Sequence, residues 1–188
     1  AVASSGRVDV DGEDPRTTSA ARARELVTLV PQIAADLLYL PSVAAECAQA
    51  DKESRRPAGT TAALLDELGV HLAMARDPHD LSEGQRLALV LAIQLASHPT
   101  VVLLDEPTRG LDYATKAALA LTVRELAARG SCVIVSTHDV EFAAASTDRT
   151  MVMADGQIIA DGPTRTPCTS SPRFSPQLAK VFWPQPII

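Results

Sequence analysis

Two rhythms of apolar and polar positions alternate along these 188 residues. The short, fully apolar run at residues 101–104 (VVLL) reads as a strand of a parallel sheet covered on both faces, and residues 26–30 and 133–136 read as further strands, the latter buried. Between them lie longer stretches with helical spacing. Residues 87–96 form an apolar helical run interrupted only by Gln94. In residues 113–129, Leu119, Val123 and Leu126 fall on one face at i, i+4 and i+7 before Gly130 ends the segment. Residues 6–12 (GRVDVDG) alternate, which predicts a half-exposed strand closed by a turn, and Ser19 caps a short basic helix running through Arg24. Residues 33–80 read as helical. Leu37, Leu38, Tyr39 and Leu40 form an apolar patch, Ser42 caps the next helix, 51–59 (DKESRRPAG) reads as a polar linker, and helix 61–68 ends at Gly69 in a left-handed cap. Residues 142–145 form a short helix, and the runs 151–153 and 157–160 flank Asp155-Gly156, a strong hairpin signal. Strands alternating with helices predict an α/β fold with right-handed crossovers and a mainly parallel sheet.

The chemistry concentrates where these elements end. Asp105 and Glu106 follow the run 101–104, at the C-terminal end of a strand, where α/β sheets place their ligands. Two adjacent carboxylates there divide labour well: one holds magnesium and the other polarises an attacking water. A solvated acidic turn explains the pair equally well when it is taken alone. Ser82 with Gln85 three residues on forms a capping box, so a plain helix start accounts for Ser82. Gly84 strips bulk from the first turn, however, and leaves room for an anion at the helix N-terminus. Taken alone, Gln32 at a strand-to-loop junction reads as an ordinary solvated turn residue, and His138 just past a strand as a structural histidine.

Composition removes several function classes. The chain is 46% apolar, enough for a sizeable core, and carries 17 basic against 23 acidic residues, a net charge of −6. Without a basic run or interleaved aromatics, a nucleic-acid surface is not expected. Cys47, Cys132 and Cys168 form no CxxC pair and read as reduced thiols, with Cys132 a small core residue. His71, His79 and His98 lack metal-ligand spacing. No run is long enough to span a bilayer, and no signal peptide is visible.

Taken in order, these residues resemble the ATP-binding-cassette (ABC) ATPases. LSEGQ (81–85) is similar to the family's signature LSGGQ with Glu83 at the first glycine, VVLLDEP (101–107) to the Walker B strand, Gly110-Leu111-Asp112 to the D-loop, His138 to the switch histidine, and Gln32 to the Q-loop. LSEGQRLALVLAIQLA, DEPTRGLD and the tail segment SPRFSPQLAKVFWPQP look most like the ATPase subunits of energy-coupling-factor transporters, the cobalt and vitamin uptake type. The resemblance implies a P-loop NTPase-like fold with an inserted helical subdomain at about 33–97, a partial ATPase domain over 1–163, and an extended Pro/Ser-rich tail over 164–188. It also implies ATP and Mg2+ as cofactors, Glu106 and His138 as catalytic, and Gln32, Ser82, Gly84, Gln85 and Asp112 as nucleotide-binding. Asp105, with Gln32, would hold the magnesium. The implied partners are a second ABC domain, in a head-to-tail dimer, and a transmembrane transporter subunit, which places the protein at the cytoplasmic face of the membrane.

None of the nine glycines belongs to G-x-x-x-x-G-K-[ST], so the Walker A phosphate loop is missing, as is the adenine-stacking aromatic. The simplest expectation is a piece that starts just after the Walker A helix and is inactive alone. A relative that never had the loop is the alternative. Three classes stay open: the ATPase subunit of a transporter, a soluble ABC ATPase acting on ribosomes or chromosomes, and a non-hydrolysing interaction module.

Overall fold

The computed structural model describes residues 6–164; the tail expectation therefore lies outside the described residues. The described chain divides into two compact units. One runs up to Leu111 and adds Leu126–Ser136; the other takes Asp112–Glu125 and continues from Thr137.

The first unit is built around one buried helix. After α1 (Ala20–Leu26) and β1 (Val27–Val30), a 3-10 turn at Ala34–Leu37 leads to α2 (Val43–Glu53), α3 (Thr60–Glu67) and α4 (Glu83–Leu95), and the unit closes with β2 (Val101–Asp105) and β3 (Cys132–Ser136). In α4, Leu87, Ala88, Leu89, Val90, Leu91, Ala92 and Leu95 are all buried, so the helix needs cover nearly all round. It finds it against α2, α3 and the 3-10 turn on one side and β1 on the other. Its polar exception is matched: Gln94 bonds to the hydroxyl of buried Thr28 on β1.

β1, β2 and β3 form a parallel sheet in that order, with Val30 opposite Leu104 and Asp105 opposite Ser136. This is the expected α/β architecture, but the strands are covered on one face only. Thr28, Val30, Val102 and Leu104 are buried, whereas Leu29 and Ile134, in register on either side of half-buried Leu103, are each 50% exposed. Cys132 lies on the same open face and is exposed, not a core residue. Cys47, by contrast, is buried in α2. Burial, then the nearby carboxylates of Asp51 and Glu46, push its thiol up to about 11.

Two local expectations need correction. Residues 6–12 form no strand: Val10 and Glu13 make one isolated bridge, around a turn in which Asp11 and Gly12 have positive φ. Alternation makes a strand only when a partner strand lies alongside it. Nor is Asp51 part of a solvated linker. It lies in the last turn of α2, buried, where Oδ2 accepts from Gly59 N (2.7 Å) and Oδ1 from Thr61 N (2.8 Å) and the Thr61 hydroxyl (2.6 Å). The carboxylate thus caps α3 from the preceding helix, a long-range cap that local spacing cannot reveal. Other caps fall where the pattern placed them: Ser19 on α1, Ser42 on α2, and Gly69 (φ 72) after α3.

In the second unit most of α5 (Tyr113–Ala128) is followed by α6 (Val140–Ser146) and the antiparallel hairpin β4 (Arg149–Ala154) and β5 (Gln157–Pro163). Asp155 and Gly156 both take positive φ, 48° and 74°, as the tight hairpin turn requires.

Asp51 generates a stability prediction. Burial alone would raise its pKa, but hydrogen bonds from the Thr61 hydroxyl and from the Thr61, Gly59 and Thr60 N–H groups outweigh it and hold the carboxyl below its usual value. A depressed folded pKa stabilises the fold above the unfolded value of about 3.9, and this contribution disappears as pH falls through the folded pKa. Asp51→Asn turns an amide N–H toward one of the donors and should cost about 1–3 kcal/mol at pH 7. Urea unfolding at pH 7 and at pH 3 checks this, since the gap between wild type and variant should shrink in acid.

Candidate functional site

β2 delivers its carboxylates to the sheet edge because Val102 and Leu104 anchor the strand in the core while Asp105, one residue on, is exposed. Glu106 then leaves the strand with φ 46, a left-handed conformation that costs a non-glycine residue about 1–2 kcal/mol. Its N–H donates to the Ser136 carbonyl at 2.8 Å, which ties the turn to the neighbouring strand. The chain curls on through Arg109 N to Glu106 O (3.2 Å), the buried Thr108 and Leu111 N to Thr108 O (3.3 Å), reversing at Gly110 (φ 73). Strained backbone over-determined by its surroundings is characteristic of functional turns.

Gln32 leaves the same edge. Val30 is paired with Leu104 in a parallel register, so Pro31 and the exposed Gln32 exit β1 alongside Asp105 and Glu106. An exposed carboxylate and an exposed amide are hard oxygen donors of the kind magnesium takes. Among the described residues no three His, Cys, Asp or Glu side chains form a metal cluster, so a hard cation here would need ligand and water oxygens as well.

Ser82 and Gln85 satisfy each other at the start of α4: Ser82 Oγ accepts from Gln85 N (3.3 Å) and Gln85 Oε1 accepts from Ser82 N (3.1 Å). This reciprocal cap leaves the first-turn N–H groups of Glu83 and Gly84 outside the helical ladder, where an anion is favoured by the helix dipole. Glu83 turns along the helix to Arg86, Oε1 to Nη1 2.6 Å. The pairing was legible as an acid and a base three positions apart, yet motif reading singled out only Glu83.

In the second unit Asp112 caps α5 by accepting from Thr115 N at 2.8 Å; the Thr115 N–H, then its hydroxyl, hold the Asp112 carboxyl below the usual range. His138 is exposed, two residues beyond the end of β3. Its neighbour Asp139 caps α6 through Phe142 N (3.0 Å) and pairs with Lys116 (2.7 Å), contacts that no motif predicted.

A parallel sheet whose C-terminal edge carries an acidic pair, next in the chain to a capped and deeply buried helix, has the layout of a nucleotide-binding α/β domain. A family profile described as "AAA domain, putative AbiEii toxin, Type IV TA system" matches residues 41–144. A putative ABC transporter ATP-binding protein of Streptomyces avermitilis is 48% identical over 96% of this chain, which covers 32% of that relative. The EcfA energy-coupling factor transporter ATP-binding protein of Methanothermobacter thermautotrophicus is 32% identical over 84% of the chain and 52% of its own length. Among solved structures, an ATP-binding cassette seen as a dimer in a post-hydrolysis state with ADP and Pi superposes with TM-score 0.73 at 22% identity, over 86% of this chain and 75% of that one. The cbiO1 protein of Clostridium perfringens, part of the ABC transporter complex cbiONQ, gives 0.71 at 26% identity over 86% and 67%. The chain belongs to this AAA family; its relatives are ABC transporter ATP-binding proteins, and it has the α/β P-loop fold of the solved ATP-binding cassettes. It spans about a third of the length of the Streptomyces relatives it matches.

Glu106 offers a direct test of the turn's strain. Glycine takes positive φ freely, so Glu106→Gly should be about 1 kcal/mol more stable than Glu106→Ala, which lacks the carboxylate equally. A higher urea midpoint for the glycine variant with an unchanged slope is the expected result, and a lower one contradicts the assignment of strain to this residue.

Proposed function

We propose that this chain is part of the ATPase subunit of an energy-coupling-factor-type importer of a vitamin or metal ion. The acidic pair at the end of β2 carries the reading, with Glu106 held in a strained turn at the sheet edge. In this reading Asp105, with Gln32, holds Mg2+, which when bound neutralises phosphate charge. Glu106 orients and polarises the attacking water, and His138 contacts the γ-phosphate. Ser82, Gly84 and Gln85 present the start of α4 to the nucleotide of a second ABC domain in a head-to-tail dimer, with Asp112 in the D-loop between the two sites. Gln32 also reports to a transmembrane subunit, so the protein works at the cytoplasmic membrane face. No described helix is long and apolar enough to cross a membrane.

Phosphoryl transfer depends on positioning and electrostatic stabilisation. No G-x-x-x-x-G-K-[ST] occurs in these 188 residues, so in this reading the cradle for the β- and γ-phosphates is supplied from outside them. The half-exposed row Leu29, Leu103 and Ile134 supports this, since it offers a face for a further element of such a domain.

The 188-residue chain alone should show no ATP turnover above background; magnesium-dependent hydrolysis abolished by Glu106→Gln would contradict that. In the complete protein, Glu106→Gln should keep ATP binding and lose hydrolysis, because the amide preserves shape and removes the charge that polarises water. Asp105→Asn should change the magnesium dependence. Ser82→Arg should leave the chain's own ATP affinity intact and block ATP-dependent dimerisation. Equilibrium ATP binding, dimerisation and hydrolysis of the three variants decide the matter: normal dimerisation by Ser82→Arg together with continued hydrolysis by Glu106→Gln would overturn both assignments.

A further inference from the structure

Glu83 puts a negative charge in the first turn of α4, the turn that the reading above presents to a polyphosphate. The geometry points to Arg86 as the positioning residue that makes this tolerable. Its guanidinium draws the Glu83 carboxylate along the helix and neutralises it, so that the open N–H groups of Glu83 and Gly84 keep their affinity for an anion. This inference rests on the proposed role of Ser82, Gly84 and Gln85.

Two contacts fix the guanidinium in place. Nη1 pairs with Glu83 Oε1 at 2.6 Å. Nη2 donates to the His79 carbonyl at 2.9 Å, which anchors the side chain to the 3-10 turn Pro78–Asp80 just before the helix. Nε is buried with no hydrogen-bond partner among the described residues, so the two Nη contacts are the ones that hold the group. The pair is also unequal: the Arg86 side chain is 21% exposed and that of Glu83 54%. The arginine is the fixed member and the glutamate is drawn to it.

The stem of Glu83 also has a defined neighbour. A Cβ placed on Gly110 would stand 3.6 Å from Glu83 Cγ and 4.0 Å from its Cβ, so the glutamate stem lies beside the turn that follows Glu106. Glu83 therefore lies near two regions of the proposed site at once: its carboxylate balances Arg86, and its methylenes flank the open side of Gly110. Removing Arg86 leaves an uncompensated carboxylate at the N-terminal turn, where it opposes the approach of a phosphate.

The test uses the complete protein and compares Arg86→Gln, Glu83→Gln and the double variant, with Ser82→Arg as a control. The readouts are ATP-dependent dimerisation, equilibrium ATP binding and thermal stability. Arg86→Gln should require roughly three- to fivefold more ATP for half-maximal dimerisation at low salt, an effect of the size expected for one charge near a helix terminus, and the defect should fade as salt rises. The double variant should dimerise like the wild type, because the glutamate charge is gone with its partner. Each chain's own ATP affinity should stay unchanged.

An arginine that merely braces the helix would lower the melting temperature and would not be rescued by Glu83→Gln. Wild-type dimerisation by Arg86→Gln, or a defect that persists in the double variant, overturns the inference while Ser82→Arg still blocks dimerisation. If Ser82→Arg dimerises normally, the reading of the helix start falls and this inference falls with it.

Discussion

The burial of α4 is the constraint on which the first unit depends. A helix apolar around most of its circumference cannot rest on a sheet by one stripe; it has to be enclosed. α2, α3 and the 3-10 turn enclose it from one side and β1 from the other, and the Gln94–Thr28 bond satisfies the polar group that this enclosure traps. Once the axis is fixed by so many contacts, the direction of its N-terminus is fixed too. The capping box then opens the helix at one defined place, and Arg86 sets the charge there.

Much of this was readable from local pattern, because local physics decides it. Ser82 with Gln85, Ser42, Ser19, Gly69 and Asp155-Gly156 each act on backbone within a few residues of themselves, so spacing alone places them. The apolar runs gave the strands and their order in the chain. What escaped had long-range causes. Asp51 looks like linker polarity until α3 is seen resting on its carboxylate, and the alternation of residues 6–12 lacked a partner strand. Cys132 and Ile134 read as core residues, since an apolar run does not reveal that only one face will be covered. At the site, the acidic pair was legible but the left-handed turn of Glu106 was not: glutamate carries no signal for positive φ, and the Ser136 carbonyl that helps hold it is 30 positions away.

Two uses of charge stand side by side in this unit. Asp51 is enclosed by donors and is structural; its charge is spent on N–H groups of its own chain. Asp105 is exposed at a sheet edge, where its charge is available to something else. Glu83 is intermediate between these cases, an exposed carboxylate whose charge is balanced within one turn of its own helix. The same chemical group thus serves as cap, as candidate ligand and as balanced bystander, and the difference lies in which donors the fold brings to it.

β2 lies between β1 and β3, hydrogen-bonded on both sides in a single register. Side chains along a strand alternate with a period of two, so losing or gaining one residue within β2 would exchange its faces. Val102 and Leu104 would turn toward solvent, and a charged aspartate would be driven toward the core. The length of this strand is therefore more tightly constrained than the identity of any one apolar side chain in it. Exchanging valine for isoleucine would adjust the packing, whereas a single-codon deletion would undo both the core and the edge that carries the acidic pair.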